Sequence, residues 1–289
     1  MDETMKAAPV RKEDLPDIQK TKDRRGISIN RVGVSKIDFP LYVKARGESE
    51  PVLVYTSVDL YSSLKHNVKG TNMSRFLEQL MEYKYETIDA TVLKKFLTDL
   101  KSRLGNVADV YASIRFKYFM SKVSPASGQE SVMGYDCILE GKLSAKYSYR
   151  MGVEVLTTSN CPCSKEISRH GAHGQRSRIR VAIQPDKGKT VFFEDLIELV
   201  EKEGSCEIYP LLKRVDEKYV TERAYENPKF VEDEARDIAV ALEQSGKFNW
   251  FKIKVSNEES IHTHDAVCYI ERYRKGRGFR KALKNLRQL

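Results

Sequence analysis

The sequence predicts an α+β protein made of two similar modules, each a mainly antiparallel sheet with helices on one face. Three observations predict it. Strand-type runs of β-branched and apolar residues come in pairs, helix-period segments lie between the pairs, and this order returns in the second half. No identity between the halves is visible, so the repetition is one of element order. A chain of 289 residues has room for one large core or two modest ones.

Residues 1–26, dense in charge and carrying Pro9 and Pro16, read as a flexible arm. The first module, 27–150, opens with a strand over 27–43, in which Gly33 is a candidate bulge. A turn at 47–51 leads into a second strand over 52–60. The period then changes. Met73, Phe76, Leu77, Leu80 and Met81 share one helical face. Val92, Leu93, Phe96, Leu97, Leu100 and Leu104 mark a second helix, with Asp89 as N-cap and Gly105 as C-terminal stop. Strand character resumes over 107–120 and 132–156, on either side of the turn-rich stretch 124–131.

The second module, 151–271, begins with strands over 151–157 and 176–184 flanking a polar loop. Helices are expected over 190–203 and 230–244, the latter burying Ala235, Ile238, Ala239 and Leu242. Closing strands cover 249–256 and 265–273. Tyr219, Val220, Pro228 and Phe230 interrupt any amphipathic stripe between Lys213 and Phe230, so that stretch does not read as an ordinary exposed helix.

Composition narrows the function classes. The chain is 40% hydrophobic and 31% charged, without the roughly 18 uncharged apolar residues that a membrane span requires. It also lacks the apolar run of a signal peptide, and the expected location is the cytoplasm, with no membrane partner. The net charge is +9, yet 272–289 holds eight basic residues and no acidic one, leaving +1 for the rest. Charge confined to a tail is not the folded basic face of a nucleic-acid-binding domain, so no nucleic acid is expected. Five cysteines, an odd number, argue against a disulfide framework. Cys161 and Cys163, separated by Pro162, point instead to metal or thiolate chemistry.

The stretch 157–177 gathers Cys161, Cys163, His170 and His173 in a polar loop between strands. Thiolate and imidazole are common ligands of borderline-soft metals, and no second CxxC or HxxxH pair exists to close a structural zinc site. An open site with a metal-bound water is the natural reading, with Cys161 and His173 as ligands. Cys163 stands between a catalytic or transient ligand and a bystander, and His170 reads as solvent-facing. Cys137, Cys206 and Cys268 read as core. Glu232, at the start of a helix, can accept two hydrogen bonds from a guanine-like edge. His262 and His264 alternate before a strand and are suited to proton transfer near neutral pH. The segment 65–75, with Lys69, Ser74 and Arg75, leads into a helix as an anion site would, although it is no P-loop.

Taken in order, CPCSKEIS, GAHGQRS, SCEIYPLLKR, DEKYVTERAYENPKFVED and ESIHTH resemble the type IB GTP cyclohydrolases of the tunnelling-fold superfamily. The resemblance implies two tandem tunnelling modules, a homotetramer with sites between subunits, and conversion of GTP and water to 7,8-dihydroneopterin triphosphate and formate in folate or pterin synthesis. It implies metal ligation by Cys161, His173 and Glu217, with zinc, manganese or ferrous iron as the divalent ion and no organic cofactor. Glu232 matches the guanine anchor, His262 and His264 the acid–base pair, and Cys163 the second motif cysteine. Triphosphate contacts are sought at Lys69, Ser74, Arg75, Gln175, Arg176, Ser177, Lys213 and Arg214. Gly174 departs from the asparagine common in relatives, beside a ligand and without removing one. The alternatives are a related cyclohydrolase giving a cyclic-phosphate product, a tunnelling-fold reductase using NADPH, and a zinc-stabilised RNA-binding module.

Overall fold

The computed structural model describes residues 19, 21–105 and 107–274; most of the N-terminal arm and of the basic tail lies outside the described residues. The described end of the arm is tied down, because Asp23 N donates to Asn67 O and Lys69 N donates to Thr21 O, both at 3.2 Å.

Strands β1 (Ile29–Val43) and β2 (Val52–Leu64) pair antiparallel, followed by α1 (Ser74–Met81) and α2 (Ala90–Leu104). Strands β3 (Val110–Val123) and β4 (Glu130–Leu143) complete the first ββααββ unit. The second unit runs β5 (Tyr147–Asn160), α3 (Pro162–Ile167), β6 (Gly174–Pro185) and α4 (Phe193–Glu201), then β7 (Cys206–Glu207) and α5 (Arg214–Glu226). It closes with α6 (Val231–Ser245), β8 (Phe248–Glu258) and β9 (Ala266–Tyr273). All the described strands join one antiparallel sheet in the order β1-β2-β3-β4-β5-β6-β8-β9, with the short β7 beside β5. The division set between 150 and 151 therefore falls inside β5, and the sheet crosses it unbroken.

The helix signals were local and survive. Asp89 caps α2 by accepting from Thr91 N at 2.8 Å and Val92 N at 2.9 Å, and Gly105 ends the helix at φ 78°. Ala235, Ile238, Ala239 and Leu242 are all buried, against β8 and β9. A buried Ile or Leu of this kind contributes about 1.5–3 kcal/mol over exposure. Cys137 and Cys206 are buried, and Cys268 packs partly buried on the core.

Two readings need correction. The register of β1 shifts twice, between Ile29 and Val32 and between Val34 and Ile37, where Lys36 takes φ 57°, and not at Gly33 itself. Gly33 stays paired with Tyr61, and the backbones approach so closely there that a Cβ would come within 2.0 Å of Leu60 O. The stretch after Lys213 is a regular surface helix, α5. It shows no apolar stripe because it buries only Asp216 and Ala224. Polar bonds hold it: Asp216 accepts from Ala126 N, Ser127 N, Ser127 Oγ and Lys213 N at 2.6–2.9 Å, and Ser124 Oγ donates to Leu211 O. The β3–β4 turn of the first unit thus clamps the start of a helix in the second.

Candidate active site

The hairpin of β5 and β6 brings Cys161 and His173 together. Asn160 pairs with Gly174 at the end of the ladder, and one step further Cys161 N donates to His173 O at 3.1 Å. Pro162 then starts α3, and Cys161 Sγ accepts from Ser164 N at 3.5 Å as its cap. Ser164 Oγ locks the pair, donating to Cys161 O and accepting from His173 N, each at 3.1 Å. Gly174 fits this corner closely: a Cβ would lie 2.7 Å from Asn160 Oδ1.

Cys161 and His173 line a cavity of about 300 Å³ together with Gln175, Glu232, Glu259, His262 and His264. The backbone stretch 229–231 and Asn257 complete much of its wall. His173 Nδ1 lies 3.1 Å from Gln175 Oε1 and 3.8 Å from Glu259 Oε2. With Nδ1–H directed at these two oxygens, the Nε2 lone pair is the one available to an ion. His262 and His264 sit in the β8–β9 loop with their rings stacked, centroids 5.1 Å apart and planes at 17°. Both are exposed, as is Glu232 on the first turn of α6.

A thiolate and an imidazole fixed by a shared hydroxyl suit a divalent ion of the zinc, iron or manganese group. The expected third ligand does not join them in a single chain. Glu217 is exposed on the first turn of α5 and does not line the cavity. Among the described residues no three His, Cys, Asp or Glu side chains converge on one metal position.

The phosphate-binding expectations divide. Gln175 lines the cavity, but its amide oxygen serves His173. Ser177 cannot contact a nucleotide: it is fully buried, with its hydroxyl among Glu234 and Asn257. The N–H groups of Lys69 and Gly70, expected to hold an anion, are used on Thr21 O and Gln19 O. Those of Arg75 and Phe76 are likewise used on Asn72 O and Met73 O, and Arg75 Nη1 donates to Arg103 O. Lys69, Ser74, Arg176, Lys213 and Arg214 are exposed and off the cavity, as are Cys163 and His170.

Sequence reasoning missed Glu259, Asn257 and Glu234. Glu234 carried a signal, since it shares a helical face with Ile238, and a carboxylate in an apolar stripe calls for a partner. Glu259 and Asn257 had no such mark.

An unbroken antiparallel sheet made of two ββααββ units, with a thiol, imidazoles and carboxylates lining a cavity at one end, defines a tandem tunnelling-fold protein with a polar site. Uricase from Arthrobacter globiformis shares the fold, with TM-score 0.54 over 86% of this chain and 94% of that one. Urate oxidase from Bacillus sp. TB-90 gives 0.52 over 85% and 100%. At 8% identity these likenesses concern the fold alone. The family model "Type I GTP cyclohydrolase folE2" matches residues 15–268. GTP cyclohydrolase FolE2 of Geobacter metallireducens is 43% identical over 261 residues, covering 90% of this chain and 98% of that protein. The Geobacter sulfurreducens protein of the same name is 44% identical over 257 residues, covering 89% and 98%. The chain belongs to the GTP cyclohydrolase FolE2 family.

Proposed function

We propose that this chain hydrolyses the imidazole ring of GTP, giving 7,8-dihydroneopterin triphosphate and formate for pterin or folate synthesis. The observation that carries the reading is the convergence of Cys161, His173, Glu232, His262 and His264, from three separate segments of chain, on one cavity. Its volume of about 300 Å³ suits a purine base, with the triphosphate directed outward.

Glu232 accepts from the adjacent N–H groups of the guanine edge and so fixes which carbon of the base faces Cys161 and His173. His262 and His264 stand at the mouth and move a proton at a ring nitrogen as the ring opens, a contribution of about 10²–10⁴ in rate. Gln175 and Glu259 keep the His173 ring in the tautomer that presents Nε2. Cys161 and His173 would hold a divalent ion, which would supply Lewis-acid polarisation. Glu217, exposed and away from the cavity of its own chain, completes the ligand set across a contact between copies, in keeping with a homotetramer whose sites lie between subunits.

The test is metal-free protein given GTP and each candidate ion in turn, with formate measured. One or more divalent ions restore formate release, and Cys161→Ala lowers it by more than about a hundredfold. Full turnover in that variant removes Cys161 from the ligand set, and no formate with any ion refutes the reaction.

A further inference from the structure

Beneath the Glu232 wall runs a chain of buried polar side chains that no step above uses. Glu234, Ser177 and Ser159 are fully buried and Asn257 is 1% exposed. Ser177 Oγ lies 2.8 and 3.0 Å from the two Glu234 carboxyl oxygens and 2.7 Å from Asn257 Oδ1. Asn257 Nδ2 donates to Ser159 Oγ at 3.3 Å, and Ser159 Oγ donates to Lys229 O at 3.0 Å.

The donors can be counted. A backbone carbonyl only accepts, so the single Ser159 proton points to Lys229 O, and Ser159 must accept from the Asn257 amide. That turns Asn257 Oδ1 toward Ser177, whose single proton it takes. Ser177 then has only lone pairs for Glu234, and the contact is a hydrogen bond only if the carboxyl carries a proton. An ionised Glu234 would claim the Ser177 proton and leave two acceptors, Ser177 Oγ and Asn257 Oδ1, facing each other at 2.7 Å. Flipping the amide relieves that clash and turns the Asn257 amide toward Glu234, but it leaves Asn257 Oδ1 against Ser159, whose one proton must then leave either Asn257 or Lys229 O unserved. Each way of removing the proton breaks a bond in the chain.

We propose that Glu234 is held as the neutral acid and is a positioning residue, fixing through Ser177, Asn257 and Ser159 the Lys229–Glu232 backbone against which the base binds. Lys229 and Phe230 line the cavity directly before Glu232, and Lys229 N donates to Asn160 O at 3.1 Å, beside Cys161. The chain therefore ends on the strip that joins the base anchor to the thiol.

The surroundings agree. Burial pushes the Glu234 carboxyl up to about 8, against the opposing effects of Ser177, Lys229 and Asn257. The charged neighbours on its own side are Asp233 and Lys229, and Lys229 Nζ is engaged with Asp237 at 2.8 Å and Glu203 O at 3.0 Å. Strands β5, β6 and β8 present only the neutral Ser159, Ser177 and Asn257 to the chain, with His173 and Glu259 around the cavity that Asn257 lines.

The consequence for turnover rests on GTP as substrate; the protonation does not, so two readouts separate them. Infrared difference spectra of the intact protein from about pH 6 to about pH 10 should show a protonated-carboxyl band at neutral pH that titrates away near pH 8 and is missing in Glu234→Gln. In steady state, Glu234→Ala raises KM for GTP about tenfold with kcat changed less than about threefold. Glu234→Gln, whose amide donates to Ser177, brings KM back to within about threefold of wild type. Ser177→Ala, which breaks the chain with little loss of volume, raises KM in the same direction and stands in if Glu234→Ala does not fold. No carboxyl band at neutral pH, or a Gln variant as impaired as the Ala one, overturns the proposal. Wild-type protein that shows the band but releases no formate refutes the GTP reading and leaves the protonation standing.

Discussion

The two units present the same three structural features at corresponding ends: a hairpin turn, a helix N-terminus and a second hairpin loop. In the second unit these are the 161–173 connection, the start of α6 and the 259–265 loop. They hold a thiol, three imidazoles that reach the cavity, and Glu232, Asp233 and Glu234 in the first turn of the helix. In the first unit they are the 44–51 turn, the start of α2 and the 124–129 turn, with no acidic residue in the first turn of α2. There the polar groups are spent on structure. Asp89 caps α2, Tyr147 Oη donates to Ala90 O, and the 124–129 turn grips Asp216. One scaffold thus carries a polar cavity at one end and intrachain structural contacts at the other, and the loops decide which.

Altering Glu232, the proposed base anchor, is the sharpest way to break this contrast. Glu232 is exposed and unneeded by its own fold, so Glu232→Gln should leave Tm unchanged. The amide keeps one acceptor and loses the charge, and loss of a charged hydrogen bond of about 1.5–3 kcal/mol raises KM for GTP about 10–100-fold. An unchanged KM would move the base away from α6.

The neighbouring carboxylate makes the opposite case, buried and committed to the fold. Glu234 titrates near 4.5 when unfolded and near 8 when folded, so the folded state holds the proton more tightly. The stability this gives is complete below about pH 4.5 and is lost as pH rises through about 8. Relative to Glu234→Gln, the wild type should lose stability on the order of a few kcal/mol across that window, read as Tm against pH. Parallel Tm curves for the two proteins would mean that Glu234 is already ionised at neutral pH.

This division also governs what the sequence could reveal. Helices α2 and α6 were legible because their apolar stripes and caps are local, and Cys161, His173 and the 262–264 pair were legible because rare residue types cluster in short polar loops. Helix α5 was missed since its anchors, Ala126 and Ser127, lie some 90 positions away and leave no periodicity in the helix itself. Ser177 looked like a phosphate contact beside Arg176, yet strand alternation turns the two to opposite faces. Glu217 shows the remaining limit: the motif resemblance marked it as a ligand, yet it is exposed on α5 and does not line the cavity of Cys161 and His173 within one chain.

Asp216 tests whether the first unit serves the second. Burial opposes its ionisation, but donors from Ser127, Lys213 and Ala126 outweigh that and hold the carboxyl well below the usual range. Asp216→Ala leaves those donors without an acceptor and frees the start of α5. Tm should fall by about 5 °C, and divalent-metal affinity by about tenfold, since Glu217 is the next residue. A lower Tm with metal affinity intact would make the clamp a matter of stability alone.

The smallest effect is expected at the counterpart of the α6 start. Asp89 accepts from Thr91 N and Val92 N, and Lys44 approaches only to 3.9 Å from a partly exposed position. Asp89→Ala removes the cap and returns two N–H groups to water at a cost of about 1 kcal/mol, with little added by losing the ion pair. For a chain of this length that is a Tm decrease of about 2–4 °C. Formate release should stay within about twofold of wild type, because nothing at the start of α2 lines the cavity of Cys161 and His173. A tenfold loss of kcat/KM at unchanged metal affinity would mean that the α2 end also faces substrate, and the division of labour between the units would fail.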